Sequence, residues 1–298
     1  MHTDGKYCTV TKQMVKIYIH RTALPFVVLF SVTFLTGCGT TFGSQAASPS
    51  IVFPYQWVGN IDKAGFNEPS GICWHSQRES LFVVGDEGDI CEIKTDGTLI
   101  KQKRIRPADF EGITYDPSSG LLYIAVEGAE SIIEINPETF EVMREFSIPR
   151  VFHKKTFLKS GGQGIEAITF VPDCEHSEGG TFYVANQALS LTDEHDISAL
   201  FQVELPLRSN HGEPKLIGYF VPGIIDLSGL YYDPKTDHIF VISDATNTIL
   251  EYSRKHKILD EYAFPGDNQE GVTADNSGFI YIAQDSGGII KLKWLRRE

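Results

Sequence analysis

The sequence predicts an all-β, five-bladed β-propeller, and three observations predict it. One short phrase recurs five times: Ser70-Gly71-Ile72, Glu111-Gly112-Ile113, Glu166-Ala167-Ile168, Ser228-Gly229-Leu230 and Glu270-Gly271-Val272, at spacings of 41, 55, 62 and 42 residues. Each copy opens two alternating apolar runs joined by a polar turn, often Asp-Pro, as at Asp116-Pro117 and Asp233-Pro234. Alternation marks strands and Asp-Pro marks a turn. An unpaired strand-like segment, residues 51–60, stands before the first copy.

Four short strands in about 42 residues make one propeller blade, and a blade buries both faces only when others stack on it. Third runs follow the paired ones, as in Ile132–Asn136 and Ile249–Ser253. Fourth runs end near proline, as in Val142–Pro149. The two long spacings hold insertions at 151–162, 188–200 and 205–215. A sixth blade would have to hide in 188–222, where there are only enough strands to finish blade three. The last blade, 268–295, has room for three strands. The segment 51–60 is therefore expected to supply its fourth and close the ring, which removes an open edge.

The chain begins with an export pattern. Lys12, Lys16 and Arg21 precede an uncharged apolar stretch, 23–37, the layout of a secretory signal. Leu35-Thr36-Gly37-Cys38 then resembles the lipobox of bacterial lipoproteins, in which the cysteine thiol takes a diacylglyceryl group. The expected organisation is a signal peptide over 1–37, a lipidated tether over 38–50 and the propeller over 51–298. Met14 is an alternative start to Met1. Small polar residues over 39–50 suit a flexible tether. Gly39 after the cysteine resembles the enterobacterial pattern for outer-membrane sorting. An uncleaved anchor helix ending in a chance cysteine is the alternative.

Composition narrows the partners. The 298 residues carry 39 acidic and 26 basic side chains, a net charge of −13. Loss of 1–37 removes Lys6, Lys12, Lys16, Arg21 and Asp4, leaving the remainder near −16. Nucleic acid is a poor partner for such a chain, since phosphate binding needs a basic face. Once Cys8 and Cys38 are set aside, Cys73, Cys91 and Cys174 remain. Cys73 and Cys91 fall on non-adjacent strands of one blade, which favours buried thiols over a bridge.

Registering the repeats stacks side chains around the channel. The first residue of each inner strand gives Ser70, Glu111, Glu166, Ser228 and Glu270. The last residue of each second strand gives Asp86, Glu127, Gln187, Asp244 and Asp285. Both sets are expected on one rim, where seven of ten positions are carboxylates, with Asp109 and Asp226 two residues upstream of theirs. Such crowding requires protons or a cation. Oxygen donors without histidine or cysteine suit a hard ion such as Ca²⁺. Glu111, Glu166 and Glu270 are the leading candidate ligands, followed by Asp86, Glu127 and Asp244. Solvated turn acids are the alternative, although Glu is a poor turn former and occurs three times at one repeated position.

The Glu-Gly-Ile/Val openings, Asp226-Leu-Ser-Gly229, Gln269–Asp275 and Ser277–Ala283 resemble the SdiA-regulated (YjiK-like) proteins, bacterial envelope proteins distantly similar to NHL-repeat propellers. The resemblance spans nearly all of 51–295. It implies five blades and a bound calcium ion, and it assigns no activity. Two functions follow as expectations. One is a lipid-anchored scaffold that offers its rim to a protein or small-molecule partner at the periplasmic or outer surface. The other is a calcium-dependent esterase, lactonase or phytase-like hydrolase, disfavoured because such sites usually include Asn and these rings have none. No Gly-x-Ser-x-Gly, His-Glu-x-x-His or phosphate-loop motif occurs. Gln284-Asp-Ser-Gly-Gly288 is expected to be a turn, and Trp57, Trp74 and Trp294 are expected to pack between blades, with the channel as the alternative for Trp74.

Overall fold

Five four-stranded antiparallel sheets surround one channel in the computed structural model, which describes residues 51–63, 65–158, 164–191, 197–209 and 211–295. Strand β1 (Tyr55–Asn60) comes first. Blade one is β2 (Pro69–His75), β3 (Ser80–Gly85), β4 (Asp89–Ile93) and β5 (Leu99–Arg104). Blade two is β6 (Asp109–Tyr115), β7 (Leu122–Glu127), β8 (Ser131–Ile135) and β9 (Val142–Ser147). A two-residue hairpin, β10 (Val151–Phe152) and β11 (Lys155–Thr156), occupies the first insertion. Blade three is β12 (Ile165–Pro172), β13 (Gly180–Asn186), β14 (Leu200–Glu204) and β15 (Lys215–Phe220). Blade four is β16 (Leu227–Asp233), β17 (His238–Ser243), β18 (Thr248–Ser253) and β19 (Ile258–Ala263). Blade five is β20 (Gln269–Ala274), β21 (Phe279–Gln284), β22 (Ile289–Trp294) and β1.

The ring closes as the sequence predicts. β1 pairs antiparallel with β22, from Tyr55 opposite Trp294 to Asn60 opposite Ile290. Phe53, just upstream, donates its N–H to Ala263 of blade four at 2.9 Å and packs edge-on against Tyr262 and Phe264. The N-terminal segment thus ties blade four to blade five.

The core divides into five apolar clusters, one at each blade interface. Tyr123 and Phe146 of blade two meet Phe170, Phe182 and Phe201 of blade three. Phe240 and Ile249 of blade four meet Ile280 and Ile282 of blade five. Burying one such side chain stabilises by about 1.5–3 kcal/mol, so each interface contributes heavily. Threonines repeat at the interfaces: Thr114 accepts the Phe170 N–H at 3.1 Å, Thr169 that of Tyr232 at 3.0 Å, and Thr273 that of Trp74 at 3.0 Å. Turns between first and second strands are held by aspartates. Asp116, Asp173, Asp233 and Asp275 each accept the N–H two residues on.

Two expectations need correction. Trp57 does not pack between blades; it is 51% exposed on β1, the outermost strand of blade five. Cys73 and Cys91 are buried free thiols, but Cys174 is exposed, because it sits in the polar turn after β12. Gln284–Gly288 is a turn, with Gly287 and Gly288 at φ +90° and +123°. The signal, Cys38 and the tether lie outside the described residues.

Candidate metal centre

Every inner strand carries a β-bulge at the same place. Pairing slips between Pro69 and Gly71, Phe110 and Gly112, Ile165 and Ala167, Leu227 and Gly229, and Gln269 and Gly271. The extra residue is in each case the one singled out by the repeat: Ser70, Glu111, Glu166, Ser228 or Glu270. A bulged residue is released from the ladder and its side chain is re-aimed.

The next residue, Gly71, Gly112, Ala167, Gly229 or Gly271, forms the channel waist. A Cβ on Gly112 would stand 2.8 Å from Ile168 N, and one on Gly271 would stand 2.7 Å from Ile72 N. The backbones are in contact there, and the space between them is about 10 Å³, too little for more than one water. The waist is a floor, and four of the five bulged side chains stand above it.

A cavity of about 190 Å³ lies there, lined by Ser70, Asp86, Glu111, Glu127, Glu166, Gln187, Glu270 and Asp285. Eight of the ten predicted rim residues therefore meet in one mouth. Every one of them offers oxygen, and none is basic. Ser228 sits lower, at the waist. Asp244 is not in the lining; its Oδ1 accepts the Gln269 N–H at 3.0 Å, and it acts on Glu270 through its charge. It remains among the rim charges, where Asp226, Asp267 and Asp285 act on its carboxyl.

The tightest grouping is Asp86, Asp109 and Glu111, with one carboxylate oxygen from each lying within 4.8 Å of the others. This acidic cluster could hold a metal ion. Asp109, two residues upstream of Glu111 and on the other side of the bulge, joins the leading candidates in this group. Asp109 also lies directly across the ladder from Glu127.

The electrostatics show what the mouth lacks. Burial pushes Glu166 up to about 10, with the charge of Glu127 next in weight. Burial pushes Glu270 up to about 9, aided by Asp244 and Asp226. Glu111 is driven well above the ordinary carboxylate range by burial, then by Glu166 and Asp109. Asp86 and Asp109 are raised too, chiefly by burial. Two glutamates buried elsewhere in this protein, Glu92 and Glu134, have cations. Glu92 is met by Arg78 at 2.8 Å and Lys101 at 3.4 Å, and Glu134 by Arg144 at 2.5 Å. Burial alone would raise Glu92, yet the Arg78 and Ser80 hydrogen bonds outweigh it and hold the carboxyl below its usual range. The rim acids have one another instead: Asp109 bonds to Glu111 and Glu127 to Glu166. An all-oxygen donor set with no internal cation fits a hard divalent ion.

The family model for SdiA-regulated proteins matches residues 60–287. This chain belongs to the SdiA-regulated family. No curated protein matches it. Among solved structures it is similar to glutaminyl cyclase from Myxococcus xanthus, with a TM-score of 0.56 and 11% identity over 81% of this chain and 97% of that one. It is also similar to the Cps50 (Swd1) β-propeller domain from Myceliophteria thermophila, with a TM-score of 0.47 and 8% identity over 82% of this chain and 100% of that one. At such identities the likeness to the cyclase speaks for the propeller fold alone.

Proposed function

We propose that this SdiA-regulated protein is a lipid-anchored propeller of the bacterial envelope that binds Ca²⁺ in its acidic mouth and uses the ordered rim to hold a protein or small-molecule partner. One observation carries the reading: eight oxygen-bearing side chains converge above the waist with no basic residue among them. Glu111, Glu166 and Glu270 would share the ion with Asp86, Asp109 and Glu127. Calcium takes six to eight oxygens and tolerates uneven geometry, which suits donors arriving from different blades. Magnesium demands a tighter octahedron. The lipobox at Cys38 supports the anchor, and Gly39 supports the outer membrane as its address.

The cavity of about 190 Å³ exceeds the size of a bare ion, which leaves space for water or a ligand beside it. That space favours keeping the calcium-dependent esterase, lactonase or phytase-like reading as the second. A bound ion there would supply Lewis-acid polarisation of an ester or phosphoryl oxygen. The rim carboxylates would position the substrate and take up a proton.

Thermal unfolding in calcium, in magnesium and in chelator tests the metal. Calcium is expected to raise the transition temperature well above the other two, since a ligand that binds only the native state stabilises it. Superimposed curves would refute the site. Metabolic labelling with a fatty acid tests the anchor; label retained in Cys38→Ala would refute it. Turnover on a panel of lactones, aryl esters and phytate would move the protein to the second reading.

A further inference from the structure

Below the waist the channel opens into a second cavity of about 270 Å³, and its chemistry is the opposite of the rim's. The residue four positions after each rim residue lines it. In four blades that residue is aromatic: Trp74, Tyr115, Phe170 and Tyr232. In blade five it is Ala274. The place beside Ala274 is bordered by Tyr231 of blade four, which also lines the cavity and packs on the cluster that contains Ala274.

Three hydroxyls stand one position before that layer. Thr114, Thr169 and Thr273 each accept a backbone N–H from the neighbouring blade. Among the described residues none of them has an acceptor for its own hydroxyl hydrogen. A hydroxyl carries one donor and two acceptor sites, so three donor hydrogens remain free on the cavity wall. The charged groups at the lower rim are engaged. Asp233 accepts from Lys235 N and Thr236, Asp275 accepts from Tyr281 and two backbone N–H groups, and Lys235 Nζ donates to Asn276 O at 3.0 Å.

We propose that this lower cavity is a binding site for a neutral aromatic compound bearing an acceptor oxygen, the ring lying among the wall aromatics beside Ala274 and the oxygen taking a threonine hydrogen bond. Aromatic walls with a few placed polar groups are what small-molecule sites are made of. An anion is disfavoured, because Asp233 and Asp275 flank the entrance while its one lysine is bonded to a carbonyl. The site is separated from the acidic mouth by the waist, so it does not depend on the metal reading.

The probe is 4-fluoroacetophenone, followed by fluorine NMR with the full soluble propeller, in calcium and in chelator. Saturable line broadening is expected in both. Fluorobenzene, which lacks the oxygen, is expected to bind about fivefold more weakly, the worth of one hydrogen bond. The anion 4-fluorobenzoate is expected to bind more weakly still. Ala274→Phe adds a further ring to the cavity wall and is expected to abolish binding. Because that variant adds bulk to a packed layer, a second measurement uses the native chain: the ketone should quench tryptophan emission, and the quench should vanish in Trp74→Phe. No saturable binding, equal binding of fluorobenzene, or quenching that survives in Trp74→Phe would overturn the proposal.

Discussion

Raising the pH of the calcium-free protein is expected to destabilise it, in the direction opposite to that of an ordinary salt-bridged domain. Glu166 and Glu270 have folded-state values of about 10 and 9 against an ordinary 4.5, and Glu111 is raised as well, all chiefly by burial. A carboxyl raised on folding keeps its proton in the native state after the unfolded chain has released it. From about pH 4.5 to 9 the native state therefore binds more protons, and stability falls as pH rises. Each such group costs about 1.4 kcal/mol per pH unit in that window. Two of them acting fully from pH 5 to pH 7 would remove about 5 kcal/mol, a large part of a typical domain's stability. For a domain of this size, 1 kcal/mol moves the transition by about 2–4 °C, so the loss is expected to exceed about 10 °C. Saturating calcium takes the place of the protons, and the gap between calcium and chelator curves should widen with pH. Scanning calorimetry at half-unit steps from pH 5 to 8.5 measures both. A chelator curve that is flat or rises with pH would refute the reasoning, because the glutamates would then be ionised and solvated.

Glu111→Gln is expected to stabilise the chelated protein at pH 8 while removing most of the calcium shift, a sign reversal that thermal unfolding reads directly. Asp109→Asn should weaken calcium binding by calorimetric titration about as much as Asp86→Asn, since both belong to the tightest carboxylate group. Gly112→Ala places a methyl 2.8 Å from a backbone nitrogen that has no room to yield, and urea unfolding should show a loss of about 1–3 kcal/mol. Phe53→Ala removes a ring that is 2% exposed and packed on Tyr262, Phe264 and Trp294. It should cost about 3–5 kcal/mol and loosen the closure of blade five, seen as faster hydrogen exchange in β1 and β22.

The architecture was legible because blades repeat. Alternation and turn residues located the strands, the five phrases counted the blades, and a deficit of one strand at one end matched a surplus at the other. The rim followed from register alone, so glutamates far apart in the chain could be stacked before any coordinates. What register missed was local. Asp109 meets Glu111 because the bulge re-aims that glutamate, and a repeat alignment looks across blades rather than along a strand. Asp244 occupies the right row but is drawn to the Gln269 N–H, an interaction between blades that no single blade encodes. The bulges themselves were invisible, because each lies at the start of its strand, with too few residues before it to show the shift in phase. Trp57 was misplaced because alternation does not say which strand is outermost, and outermost strands keep one apolar face exposed. The lower cavity went unseen, because reading for charge passes over a layer of four aromatics and an alanine.

Those bulges explain why one channel carries two chemistries. An uninterrupted ladder would direct the first residue of each inner strand into a blade interface, where a glutamate would need an arginine, as Glu92 and Glu134 do. The bulge releases it to the mouth instead, and the small residue that follows lets five backbones meet and seal the floor. Below that seal the strands resume regular alternation. Threonines that bond across blades and aromatics that pack into the blade interfaces both line the cavity there. In blades two and three a single inner strand thus supplies a carboxylate above and a ring below, Glu111 with Tyr115 and Glu166 with Phe170. Substitutions on one side of the waist should leave the other side's ligand affinity unchanged. Glu270→Gln and Ala274→Phe lie on one strand four residues apart, and their effects on calcium and on ketone binding are expected to be independent. A double-mutant cycle with coupling above about 0.5 kcal/mol would show that the floor transmits strain.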